Sequence, residues 1–75
     1  TAASDLMLRG YDVFRALSPA RSCDLIILLD GQPLRVEVRT GYVRVDGSVT
    51  ANADGDYDVL AIVFKGKVTY APELP

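Results

Sequence analysis

The chain has no histidine and no tryptophan, and it has a single cysteine and a single methionine. Without histidine, and with Cys23 alone, the sequence argues against a zinc or other soft-metal centre. Cys23 also has no second thiol to bridge and no imidazole to activate it, so it reads as a small buried thiol. Any metal would therefore be held by oxygen. No apolar run approaches the roughly 20 residues needed to cross a bilayer. The opening residues lack the basic and apolar regions of a leader peptide, so a soluble, cytoplasmic protein without membrane contact is expected. Basic charge is not in excess either: Lys and Arg number 8 against 10 Asp and Glu. The charge balance alone does not point to a nucleic-acid binder, because phosphate affinity rests mainly on Lys and Arg.

The distribution of charge says more than the sum. Arg9, Arg15, Arg21, Arg35, Arg39 and Arg44 all precede the acidic group Asp54, Asp56 and Asp58, so one basic face can form. Hydrophobic residues make up 49% of the 75 residues and charged residues 24%, the composition of a folded globular chain. The expectation is one domain over residues 1–75. A core this small is thin, which makes a homo-oligomer or a lost flanking segment reasonable.

Residues 2–9 suit the end of a helix stopped by Gly10, with the helix start expected upstream of Thr1. Residues 11–16 favour a first strand, ending near the Ser18-Pro19 turn signal. An apolar run from Cys23 to Leu29 meets Asp30-Gly31, and Leu34 to Thr40 then alternates apolar with charged residues. This is the strongest hairpin signal in the chain. Residues 42–45 and 48–50 flank a second Asp-Gly, and residues 52–56 form a polar loop. Residues 59–64 form a buried strand, and Lys65-Gly66 turns it into a last strand over 67–71. Helix followed by strands predicts an α+β fold with a mainly antiparallel sheet.

A two-residue turn at Asp30-Gly31 would pair Leu29 with Gln32 and place Asp24 opposite Glu37, with both side chains on one face. Arg35 and Arg39 share that face by strand alternation, while Leu25, Ile27, Leu29, Leu34, Val36 and Val38 take the other. A four-residue loop would set Asp24 against Arg39 and keep the three charged groups together; a three-residue loop would not. Two carboxylates this close repel unless a cation neutralises them, and a hard cation such as Mg²⁺ meets that need. The simpler reading is that Arg35 and Arg39 neutralise Asp24 and Glu37 on a solvated face, as surface ion pairs commonly do.

Other candidates reduce to structure. The run from Asn52 to Asp58 resembles a calcium loop, but its twelfth position is Val63 where a bidentate glutamate is required. It reads as a solvated turn. Tyr42, Tyr57 and Tyr70 could stack on bases, yet strands commonly use tyrosine for packing. Arg44 and Lys65 or Lys67 could meet phosphates, but they equally suit a solvated surface.

Taken in order, Gly10-Tyr11-Asp12-Val13, Cys23-Asp24-Leu25-Ile26-Ile27 and Arg35-Val36-Glu37-Val38-Arg39-Thr40-Gly41 resemble the PD-(D/E)XK nucleases. The likeness is to the branch of group I intron-associated and related small endonuclease-like proteins. Residues 56–63 and 67–72 look like the later paired strands of that branch, so the resemblance covers nearly everything from Gly10 onward. It implies a restriction-endonuclease-like fold, an N-terminal helix packed on a mainly antiparallel, mixed sheet, minimal or truncated, that hydrolyses DNA phosphodiester bonds with Mg²⁺ or Mn²⁺. On that likeness Asp24, Glu37 and the Val38 carbonyl hold the metal, Asp24, Glu37 and Arg39 form the catalytic set, and DNA is the partner. Arg35 and Arg44 are the expected nucleic-acid contacts.

Two departures matter. Arg39 stands where the motif has lysine. Arginine stays protonated, so it can stabilise charge on phosphate but cannot act as a general base. The acid often supplied by the preceding helix has no good counterpart, since Asp5 is poorly spaced for it. A degenerate nuclease, or a non-catalytic nucleic-acid-binding or assembly module that keeps the fold, is the alternative.

Overall fold

The computed structural model describes residues 1–15, 24–53 and 55–75. The expectations for Cys23, Arg21 and the Ser18-Pro19 turn lie outside the described residues. Helix α1 (Ala2–Leu8) is followed by strands β1 (Val13–Arg15), β2 (Leu25–Leu29), β3 (Gln32–Thr40), β4 (Tyr42–Val43), β5 (Val49–Thr50), β6 (Val59–Phe64) and β7 (Lys67–Ala71). Five strands form one sheet in the order β1-β2-β3-β6-β7, and β4 and β5 form a small second sheet. Neighbouring strands are antiparallel except β3 and β6, which run parallel. The fold is α+β, as the element order predicts, and the sheet is mixed, as the family resemblance implies.

Local chemistry accounts for the element ends. The Thr1 side chain accepts a hydrogen bond from the Ser4 N–H, capping α1. At the other end, Gly10 takes φ +94°; its N–H reaches the Met7 carbonyl, and the Tyr11 N–H reaches the Leu6 carbonyl. These two bonds satisfy carbonyls of the last turn and stop the helix. Both tight hairpins use positive φ at both turn positions, Asp30 (52°) with Gly31 (77°) and Lys65 (49°) with Gly66 (77°). That backbone matches the twist of paired strands and allows two-residue connections.

The β2–β3 turn fixes the register. Leu29 faces Gln32 and Leu25 faces Val36. Pro33 sits opposite Leu28, ahead of the first pair between β3 and β6, Val36 with Val59. A residue without an N–H is tolerated where β3 is still an edge.

Alternation then separates two faces. On one, Ile27, Val36, Val59, Ala61 and Tyr70 form the core with Ala2 and Leu6 of α1. Burying such aliphatic side chains contributes roughly 1.5–3 kcal/mol each. On the other face lie Glu37 and Arg39 of β3, in register with the buried Leu60 and Ile62 of β6. Val49 of β5 packs beside Gly41, just past the end of β3. A Cβ placed on Gly41 would stand 2.7 Å from Ile62 Cγ2, 3.0 Å from Val49 Cγ1 and 3.3 Å from Phe64 Cβ.

The second hairpin is shorter than expected, because Arg44 and Ser48 close it with a single backbone bond and Asp46 caps the Ser48 N–H. Among the described residues, no helix is long and apolar enough to cross a membrane.

Candidate active site

Glu37 lies on β3, the middle strand of the sheet, and is only 5% exposed. It is the only charged residue among the buried described residues. Asp24 immediately precedes β2. Its N–H donates to the Val36 carbonyl at 3.1 Å, and its side-chain Oδ2 accepts from the Val38 N–H at 2.9 Å. The Asp24 carboxylate therefore meets a β3 backbone donor where β2 begins. That bond holds the carboxylate next to Glu37 on the same strand face.

Arg39 completes the group. Its Nη1 lies 2.8 Å from Glu37 Oε1, 2.8 Å from the Val38 carbonyl oxygen and 3.4 Å from Asp24 Oδ2. One guanidinium nitrogen thus faces all three oxygens. Burial raises the Glu37 carboxyl above its ordinary range; the adjoining Asp24 carboxylate, within hydrogen-bonding reach, raises it further, and Arg39 opposes the rise. The arginine side chain is 40% exposed, so the cation sits at the mouth and the glutamate at the base.

The structure brings Asp24, Glu37, Val38 and Arg39 together. Arg35 shares the face, but its partner is Asp58: Nε to Oδ2 at 3.2 Å and Nη2 to Oδ1 at 3.3 Å. Asp58 Oδ2 also accepts from the Arg35 N–H at 2.8 Å, and the Asp58 N–H donates to the Arg35 carbonyl at 2.9 Å. Reading residues 52–58 as a solvated turn misses this role. Asp58 anchors the chain to β3 directly before the parallel pairing with β6 begins, and Arg35 holds its carboxyl below the usual range. No local pattern signals this contact, because 23 positions separate the partners.

Arg44 is exposed and directly follows β4. Of the tyrosines weighed as base platforms, Tyr70 is 8% exposed and belongs to the core. Tyr42 is exposed, and its hydroxyl donates to Asn52 Oδ1 at 3.2 Å. Asp5 is committed elsewhere. Its Oδ2 accepts from the Tyr70 hydroxyl and from Arg9 Nε at 2.9 Å, on the helix-bearing face.

The donor set suits a hard divalent cation: two carboxylates and a backbone carbonyl, all oxygen, converge on one position. Among the described residues, no group of three or more His, Cys, Asp or Glu is disposed to hold a metal ion.

No family model matches the chain, and no curated protein matches it. Among solved structures, the chain is similar to the bacterial homing endonuclease I-Ssp6803I, with a TM-score of 0.73 and 18% sequence identity. The match covers 92% of this chain and 55% of that one, so the chain spans about half the length of that endonuclease. At this identity the likeness shows the fold: this chain has the nuclease-like arrangement of one helix against a mixed sheet.

Proposed function

We propose that this chain is a DNA endonuclease-like domain of the PD-(D/E)XK type, hydrolysing phosphodiester bonds with the help of a divalent cation. The observation that carries the reading is the convergence of Asp24, Glu37 and the Val38 carbonyl on one cation-sized position in a fold shared with a homing endonuclease. Asp24, Glu37 and the Val38 carbonyl would hold Mg²⁺ or Mn²⁺. Such an ion, when bound, polarises a phosphoryl oxygen and lowers the pKa of a water.

The chain's own residues do the remaining work. The Val38 N–H orients the Asp24 carboxylate, and burial keeps Glu37 dry at the base of the site. Arg39, permanently protonated and partly exposed, supplies positive charge where negative charge grows on the phosphate. Arg44 would contact the DNA backbone, and Arg35 would do so on exchanging Asp58 for a phosphate.

Supercoiled plasmid incubated with Mg²⁺ or Mn²⁺ provides the test. Asp24→Asn keeps an acceptor for the Val38 N–H, and Glu37→Gln keeps the side-chain shape; each is expected to reduce nicking at least about a hundredfold, the scale of a lost electrostatic contact in a transition state. Undiminished nicking by both variants would remove the proposal. A non-catalytic module with the same fold would nick nothing and would take up no Mn²⁺ through Glu37.

A further inference from the structure

We propose that the Arg39 guanidinium is a built-in cation occupying the metal position, so that Arg39 and a divalent ion exclude one another on Asp24, Glu37 and the Val38 carbonyl. The inference rests on the reading above for the identity of those donors, and it adds a device that controls access to them.

Geometry carries it. A single nitrogen, Nη1, lies within 2.8 Å of Glu37 Oε1, 2.8 Å of the Val38 carbonyl oxygen and 3.4 Å of Asp24 Oδ2. A divalent ion bound to the same three oxygens would sit closer to them still, because oxygen ligands approach Mg²⁺ at about 2.0–2.1 Å. Nη1 would then be in contact with a dication, with no anion between the two charges. Both cannot stay.

The residue type makes the exclusion effective. A guanidinium offers several N–H donors on a rigid plane and cannot shed its proton to relieve the repulsion, whereas a lysine at the same position could deprotonate on burial. Exposure shows how the site opens. Glu37 is 7% exposed at its side chain and Asp24 26%, whereas Arg39 is 40% exposed. The acids are fixed and the arginine is the part with room to swing out.

Titration calorimetry with Mn²⁺ alone tests this on the wild type, Arg39→Gln and Arg39→Lys, with thermal melts at matched Mn²⁺ concentrations as a second readout. Arg39→Gln is expected to bind Mn²⁺ at least about tenfold more tightly than the wild type, the scale of one lost charge-assisted contact. Mn²⁺ should raise its Tm, and adding Glu37→Gln should cancel both effects. Arg39→Lys should fall between, because lysine keeps the charge but is compact and flexible. Equal Mn²⁺ affinity in all three proteins overturns the inference. So does tight Mn²⁺ binding by the wild type that Glu37→Gln abolishes. Gain of Mn²⁺ affinity in Arg39→Gln without plasmid nicking by any form supports this inference and removes the nuclease activity. Nicking by the wild type, with no gain of affinity in the variants, does the reverse.

Discussion

Removing Arg39 exposes what the ion cluster does for the fold. Glu37 is 5% exposed beside Asp24, and the Arg39 guanidinium lies 2.8 Å from Glu37 and 3.4 Å from Asp24. Arg39→Ala would remove the guanidinium from a desolvated carboxylate that also adjoins Asp24. Breaking a fully buried pair costs about 3–5 kcal/mol, but Arg39 is 40% exposed and water can replace part of its contact, so about 2 kcal/mol is expected. For a domain of this size, that is roughly a 10 °C fall in Tm.

Glu37→Gln removes the charge that burial disfavours and keeps an acceptor for Arg39, so its cost is smaller, about 1 kcal/mol. The double variant has no stranded charge and should be more stable than Arg39→Ala alone. Urea unfolding of the four proteins gives the coupling between the two positions, expected to be at least about 1 kcal/mol. Additivity within about 0.5 kcal/mol would refute the argument that the guanidinium neutralises a buried acid.

Gly41→Ala should cost about 1–3 kcal/mol in urea unfolding, because its Cβ would stand 2.7 Å from Ile62 Cγ2 with Val49 and Phe64 close on other sides; an unchanged midpoint would mean that the β4–β5 unit is not seated where described. The Tyr70 hydroxyl, then Arg9, hold the Asp5 carboxyl below 3.8, so its contribution to stability is present above that pH and is lost as pH falls through the lowered value. Asp5→Asn should therefore be less stable than the wild type at pH 6, and the difference should shrink as pH falls below 3.8, as followed by thermal melts across pH. Asp58→Ala should speed amide hydrogen exchange at Val59 and Leu60 more than at Leu28 and Leu29, because Asp58 ties the start of β6 to Arg35 of β3 and leaves the β2–β3 turn alone.

What could be read from the sequence follows the range of the physics. The hairpin register was legible because Asp30-Gly31 permits positive φ at both turn positions, and a two-residue turn leaves one pairing. From that pairing, the shared face of Asp24, Glu37 and Arg39 follows by alternation alone. The last two strands were legible for the same reason: Lys65-Gly66 closes them, and β6 and β7 span the expected residues. Alternation assigns a face and stops there. It does not say that Asp24 binds the Val38 N–H, or that Arg39 bends back onto its own strand to reach the Val38 carbonyl.

The largest gap lies across residues 41–58. Parallel pairing of β3 with β6 depends on contacts between segments far apart in the chain, and no local rule pairs Arg35 with Asp58. Gly41 carried no turn signal, because its requirement is space against Ile62 and not a left-handed backbone. Both features act on the site. Asp58 takes the Arg35 guanidinium that the sequence offered to Asp24 and Glu37, and Gly41 lets Val49 of β5 pack close at the end of the strand that bears Glu37. With Arg35 engaged by Asp58, Arg39 is the cation paired with Glu37 among the described residues, which is why one arginine substitution is expected to alter both stability and metal uptake.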